Sequence, residues 1–287
     1  MKPVLVTGPS GNVGREVVNG LRAAGAPFRV ALLADELSRG ALADADERVL
    51  LDFTDPGTFG PALSGVAQIF LMRPPQIARV STTFRPFIRA AVDAGVQQVV
   101  LLSLIGAEHN PLVPHRQIEK LLLKADLQSV FLRCGFFMQN LSTTHAEDIR
   151  QGDIFIPGGD GKTSFVDVRD IGAVAVKALL ERHRSTAYAL TGEEALTYHE
   201  VAAIMTRVLG RPITYSNPSP YRYGRRMRQR GNPLAFVLVT EALYTITKLG
   251  LAGHLSPTFR QLMGRAPIRF EQFVHDYRRV WQEPQTR

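Results

Sequence analysis

Short apolar, β-branched runs alternate with longer stretches in which apolar residues recur every three or four positions, from the amino end to about residue 145. PVLVTG, FRVALL, RVLLDF, AQIFLM, QQVVLLSL and QSVFLRCG read as strands. VGREVVNGLRAAG places Val13, Val17, Val18 and Leu21 on one helical face and closes on Gly25. VSTTFRPFIRAAVDAG is helical apart from its proline, and PHRQIEKLLLKAD puts Ile118, Leu121 and Leu122 on one face. Strand and helix in alternation at this spacing predict an α/β fold, a doubly wound parallel sheet with helices on both faces. Nearly unbroken apolar strands such as VVLL fit a sheet buried on both sides.

From about Ala146 the rhythm changes. GDIFIPGGDGKTSFVDV is rich in turn residues, and RDIGAVAVKALLER reads as a helix capped by Asp170. From about Thr191 the pattern is mostly helical. The expected organisation is a first domain over 1–145, further sheet and helix from 146–190, and a smaller, mainly helical lobe over 191–287.

The first strand runs into Gly8-Pro-Ser10-Gly11-Asn12-Val13-Gly14, which opens the first helix. Strand, glycine turn and helix in that order make a dinucleotide site of Rossmann type. The first glycine permits the tight turn, the second lets backbone approach a pyrophosphate, and the third lets helix and strand pack closely. Unpaired amides at the helix start, with the positive end of its dipole, suit the phosphates. Asp35 lies about 20 residues past the turn, where an acid accepts hydrogen bonds from ribose hydroxyls.

The opening TGPSGNVG resembles the atypical and extended short-chain dehydrogenase/reductases. VVLLSLIGAE, HRQIEKLLLKADLQSVFLRCGFFMQNL, GDGKTSFVDVRDIGAVA and LMGRAPIRFEQFVHDY are similar to their NmrA-like branch, in its order, over almost the whole chain. The resemblance implies either an NAD(P)H-dependent reductase of quinones or dyes, or a dinucleotide-sensing regulator that binds a protein partner without turnover. It also implies a smaller carboxy-terminal lobe for the substrate.

By that resemblance, Asp52 and Phe53 sit at the adenine, and Leu71, Met72 and Arg73 line the ribose and pyrophosphate. Leu33 or Ala34 stands where members that prefer NADP carry an arginine. A carboxylate at Asp35 repels a 2′-phosphate, so the cofactor is expected to be NAD or NADP with a small preference for NAD; Arg39 stays available to NADP.

Reductases of the wider family use Ser, Tyr and Lys. Here Ser103 holds the serine's place, and the Tyr-x-x-x-Lys pair reads His115-Arg-Gln-Ile-Glu119. His115 is a candidate proton donor because imidazole titrates near neutrality. Glu119 can accept from ribose hydroxyls but brings no positive charge. An electrophilic acceptor such as a quinone needs less help than a ketone, and water can deliver the proton. By resemblance GFFMQNL lies beside the nicotinamide: Gly135 permits close approach, Phe136 and Phe137 form apolar walls, and Asn140 offers a polar contact near the acceptor.

Composition adds limits. The lone cysteine, Cys134, allows no internal disulfide and suits a reducing cytosol. It reads as a buried inert thiol, and the histidines show no metal-ligand spacing. No apolar run approaches the roughly 20 residues that span a bilayer, so no membrane partner is expected. Net charge is +8, which suits anionic ligands. YRYGRRMRQRG interleaves Arg222, Arg225, Arg226, Arg228 and Arg230 with tyrosines, but no recognition-helix pattern accompanies it, which argues against direct nucleic-acid binding. A homodimer or a regulatory protein partner stays open.

Overall fold

A computed structural model describes residues 2–45, 47–77 and 79–282 of the chain. The described residues fall into two compact units. One contains the amino-terminal part up to Cys134 together with Val168–Leu190; the other contains Gly135–Asp167 and the residues from Thr191 onward. The sequence pattern puts the first division at 145. In the structure it comes at Cys134, because the chain leaves the large sheet there and pairs elsewhere. Residues 1 and 283–287, at the ends of the expected spans, lie outside the described residues.

The first unit is built on strands β1 (Val4–Thr7), β2 (Phe28–Leu32), β3 (Glu47–Leu50), β4 (Gln68–Leu71), β5 (Gln98–Leu104) and β6 (Gln128–Cys134), with a seventh strand, Thr186–Leu190. All pairings are parallel, in the order β3-β2-β1-β4-β5-β6-(Thr186–Leu190). Both directions of winding start from β1, which is the doubly wound Rossmann arrangement read from the alternation.

Helices α1 (Asn12–Ala23), α2 (Ala34–Ser38), α3 (Phe59–Leu63), α4 (Val80–Asp93) and α5 (Pro114–Lys124) follow strands β1 to β5 in turn. Helix α1 buries Val13, Val17, Val18 and Leu21, the face that its periodicity marked. Helix α4 runs through Pro86. One core joins Leu5, Ile69, Val99 and Leu101 of the sheet to Phe84, Phe87, Ile118 and Leu122 of the helices.

The helix Val168–Leu180 belongs to this unit. It starts at Val168, so Asp170 sits inside its first turn and not at its cap. Its carboxyl end is closed by two strand glutamines. Gln98 Nε2 donates to Ala178 O and His183 O, and Gln68 Nε2 donates to Leu179 O. These bonds tie the end of the helix to β4 and β5, and they give the buried Gln98 its partners.

The second unit has two small sheets. Phe136–Phe137 pairs in parallel with Thr163–Val166, which pairs antiparallel with Ala195–Leu196; Asp153–Ile154 pairs with Thr214–Tyr215. Helices supply most of the rest. Tyr198–Leu209 opens on a capping box, Thr197 with Glu200. Their core gathers Phe165, Tyr198, Tyr223, Tyr244, Phe270, Phe273 and Trp281. The unit also buries the Asp148 carboxylate, held by Arg226 at 2.7 Å and Arg230 at 2.7 and 2.8 Å. Two arginines of the basic segment are therefore committed inside the fold.

Candidate active site

The glycine turn sits at the carboxyl end of β1, where open α/β sheets bind ligands. Gly8 has φ +59, a backbone state that suits glycine, and its carbonyl accepts from Gly11 N–H at 3.1 Å. A Cβ on Gly14 would lie 2.0 Å from Gly8 O, so the first turn of α1 can rest on the loop only without a side chain there. Gly11 is the residue before α1, and no side chain caps the helix. The orphan amides at that end are left for a ligand. Asn12 is the helix's first residue, and Val13 points into the core.

The end of β4 closes the turn from the other side. Thr7 Oγ1 donates to Phe70 O at 3.1 Å and accepts from Met72 N–H at 2.8 Å. Leu71 is buried in the core. Met72 lays its thioether over the turn: a Cβ on Gly11 would meet Met72 Cε at 3.3 Å. Arg73 folds onto the loop that follows β4. Its Nη1 donates to Pro74 O, Pro75 O and Ile77 O, fixing the loop after β4, and burial lowers its pKa.

The acid that reaches the turn is Glu36. Its Oε1 accepts from Ser10 Oγ at 2.7 Å and its Oε2 from Leu33 N–H at 3.0 Å. Asp35 instead pairs with Arg39 at 2.6 Å in an exposed i,i+4 bridge, which neutralises both groups locally. Asp52 is half-buried and closes a short turn on Thr54 N–H and Oγ1, at 2.8 and 2.7 Å. Phe53 lies inside, its ring 4.8 Å from Phe84 and 4.9 Å from Phe87, as part of the core.

Ser103, next to last in β5, faces Glu119. Its hydroxyl donates to Glu119 Oε1 at 2.8 Å, Arg133 clasps both oxygens through Nε at 3.1 Å and Nη2 at 2.9 Å, and Arg116 adds 3.0 Å to Oε2. Glu119 has no exposed surface. Burial pushes its pKa up, but the bonds from Arg133, Ser103 and Arg116 outweigh it and hold the carboxyl below its usual range. Arg133 also lies 3.5 Å from Glu108. Glu119 is thus a structural anion with its oxygens engaged, and Ser103 is spent on it.

His115 is one helical turn before Glu119 on α5. Its Nδ1 is buried without a hydrogen-bond partner. Burial, then the charge of Arg73, pushes its pKa down to about 4 against the pull of Glu119. The expectation that it titrates near neutrality is corrected on this point: at neutral pH the ring is uncharged and lacks the acidic second proton of an imidazolium.

The candidates from Gly135 onward belong to the second unit, and Cys134 is the last residue of the first unit's leading segment. Phe136 and Phe137 form a short strand with Phe165 and Val166. Phe136 stacks on Tyr244 with centroids 6.4 Å apart. Asn140 is half-buried, and its carbonyl accepts from His145 N–H. Cys134 is buried, and burial pushes its thiol up, which leaves it inert.

Sequence reasoning passed over Glu36, Arg116 and Arg133. The available signal was Arg133 itself, a guanidinium in the buried run QSVFLRC, which needs an acid opposite it.

Comparisons with known proteins agree with this geometry. The family described as NmrA-like matches residues 1–225. NAD(P)H azoreductase of Xenophilus azovorans is 32% identical over 94% of this chain and 96% of its own. Quinone oxidoreductase 2 of Escherichia coli (strain K12) is 28% identical over 80% of this chain and 82% of its own. The crystal structure of the Citrobacter sp. triphenylmethane reductase complexed with NADP(H) superposes with a TM-score of 0.83 at 21% identity, covering 96% of this chain and 99% of that one.

Proposed function

The chain belongs to the NmrA-like family, and from that premise we propose that it is an NAD(P)H-dependent oxidoreductase acting on a quinone-like or dye-like acceptor. One observation carries the reading: the uncapped amino end of α1, set on a turn so tight that Gly14 has no room for a side chain. The residues present fit a dinucleotide. The amides from Gly11 onward would hold the pyrophosphate, and Ser10 with Glu36, beside the same turn, would meet the adenine ribose. Reduced nicotinamide would supply the hydride.

The chain's own contribution is positioning. Ser103, Glu119, Arg116 and Arg133 lock β5, β6 and α5 to one another at the carboxyl edge of the sheet. That network replaces the Ser-Tyr-Lys apparatus and leaves no side chain in it free to protonate a carbonyl. A quinone-like acceptor takes one hydride and one proton, and water provides the proton. The azoreductase and the quinone oxidoreductase among the relatives are named for such acceptors.

The choice between NAD and NADP rests on Glu36. A carboxylate fixed at the turn disfavours a 2′-phosphate, which supports a modest preference for NAD.

The test is direct. The protein is mixed with NADH or NADPH and a panel of quinones and azo dyes, and the absorbance of reduced nicotinamide is followed. Oxidation that depends on both protein and acceptor supports the proposal. Nucleotide binding without oxidation across the panel would replace it with the sensor that regulates a protein partner. His115→Phe is expected to stay within about tenfold of the parent rate; a loss of ~100-fold or more with intact cofactor binding would make His115 the proton donor.

A further inference from the structure

The helix Leu234–Lys248 is built inside out. Facing the unit it buries Val237, Tyr244 and Thr247, with Thr240 and Glu241 half-buried beside them. Facing water it presents Leu234, Leu238, Val239, Leu243 and Ile246, and the exposed apolar run continues through Leu249. Leu238 is 57% exposed and Leu249 is 67% exposed. Thr245 is the one polar side chain on that arc, which otherwise adds only Ala235 and Ala242. A surface helix of a globular domain normally turns its apolar side inward. A contiguous apolar face of this size marks an interaction surface.

The charge around it identifies the partner. Residues 201–270 hold eleven lysines and arginines and one acid, Glu241. Five of these cations are taken up by acids from outside that stretch: Arg226 and Arg230 by Asp148, Arg207 by Glu271, and Arg260 and Arg269 by Glu193. Arg222 and Arg225 are exposed on the preceding helix, Pro220–Gln229, and have no acidic partner among the described residues. That helix packs beside the apolar one, where a Cβ on Gly224 would meet Val237 and Glu241. Tyr221, 78% exposed, adds an amphipathic ring of the kind found at headgroup level. A second copy of this chain would bring the same positive segment against itself. An anionic lipid surface offers an apolar interior for the leucines and negative headgroups for the arginines.

We propose that the helix Leu234–Lys248 and the arginines before it dock the protein on anionic membranes, lying in the interface without crossing it. Among the described residues no helix is long and apolar enough to cross a membrane. The expectation of no membrane partner rested on the lack of a spanning run, and a helix that lies on the surface falls outside it. The inference does not depend on the reductase reading.

The experiment is co-sedimentation of the full chain with vesicles of phosphatidylcholine alone, or of equal parts phosphatidylcholine and phosphatidylglycerol. Binding is expected only with phosphatidylglycerol, weakened roughly tenfold or more by Arg222→Glu with Arg225→Glu or by raised salt. Leu238→Glu with Ile246→Glu is expected to abolish it. Since Trp281 is the only tryptophan and is buried, Leu238→Trp adds a reporter that needs no disruptive change: its emission shifts to the blue on anionic vesicles. No binding by the folded protein, binding that survives Leu238→Glu with Ile246→Glu, or a Leu238→Trp emission that vesicles leave unmoved overturns the proposal. So does a stable dimer that Leu238→Glu dissociates and that ignores vesicles; it would assign the face to a second copy.

Discussion

Arg133 Nε and Nη2 hold the two carboxylate oxygens of Glu119, at 3.1 and 2.9 Å, in a fork that joins the sixth strand to the helix after the fifth. Ser103 and Arg116 complete the shell, so the position that carries lysine in ordinary short-chain reductases is an anion fully engaged with its neighbours.

Breaking that fork costs stability. Glu119→Gln or Arg133→Met alone takes the main partner from a buried charge, leaving Arg133 only Glu108, or Glu119 only Arg116 and Ser103, and is expected to destabilise by up to about 3–5 kcal/mol. Because both changes remove one interaction, the double variant costs less than the sum of the two. Urea denaturation of the four proteins measures this; single changes below about 1 kcal/mol would show that the pair carries no structural burden.

The pH dependence has a definite sign. His115 falls from the ordinary 6.5 to about 4 in the folded protein because burial opposes its charge. His145, in the second unit, falls likewise, to about 4. The unfolded chain therefore binds more protons between these values. The contribution is fully present above about pH 6.5, declines as pH drops through the window, and is gone below about pH 4. Across that window stability changes by up to about 1.4 kcal/mol per pH unit for each histidine. His115→Asn is expected to remove roughly half of the slope, read from denaturation midpoints between pH 7 and pH 4.5 (about the span of the linkage). An unchanged slope would place the titration elsewhere.

Gly14→Ala puts a methyl group against the carbonyl of Gly8, at a built distance of 2.0 Å. Helix α1 must lift from the turn, at about 1–3 kcal/mol. Nucleotide affinity is expected to fall by roughly tenfold or more, because the amides at the helix start move with it. Calorimetry with NADH and NADPH checks this. Gly60→Ala is the control, since nothing lies within 4 Å of the added carbon and no positive φ is required there.

Glu36 touches the turn through Ser10, and Asp35 does not. Glu36→Arg exchanges a carboxylate for a guanidinium suited to phosphate. The ratio of NADPH to NADH affinity is expected to rise about tenfold or more. Asp35→Asn is expected to change that ratio little. The reverse ranking, measured by titrating both nucleotides, would return the specificity role to Asp35.

Some of this was legible in the chain alone. Alternating apolar periods fixed the parallel sheet, and TGPSGNVG placed the turn between a strand and a helix, because steric limits on non-glycine backbone are local. Tertiary structure decided which side chains meet. Asp35 and Glu36 are adjacent in sequence, and only the start of α2 turns one of them to Ser10. Phe53 reads equally well as a nucleotide contact or a core ring until Phe84 and Phe87 arrive from another helix. Arg133 finds Glu119 fourteen residues away only once the sixth strand lies beside the fifth, and His115 loses its charge only once burial removes water from it. Periodicity encodes which residues are apolar at a given spacing; the partner of a buried charge is set by long-range packing, which no local window contains.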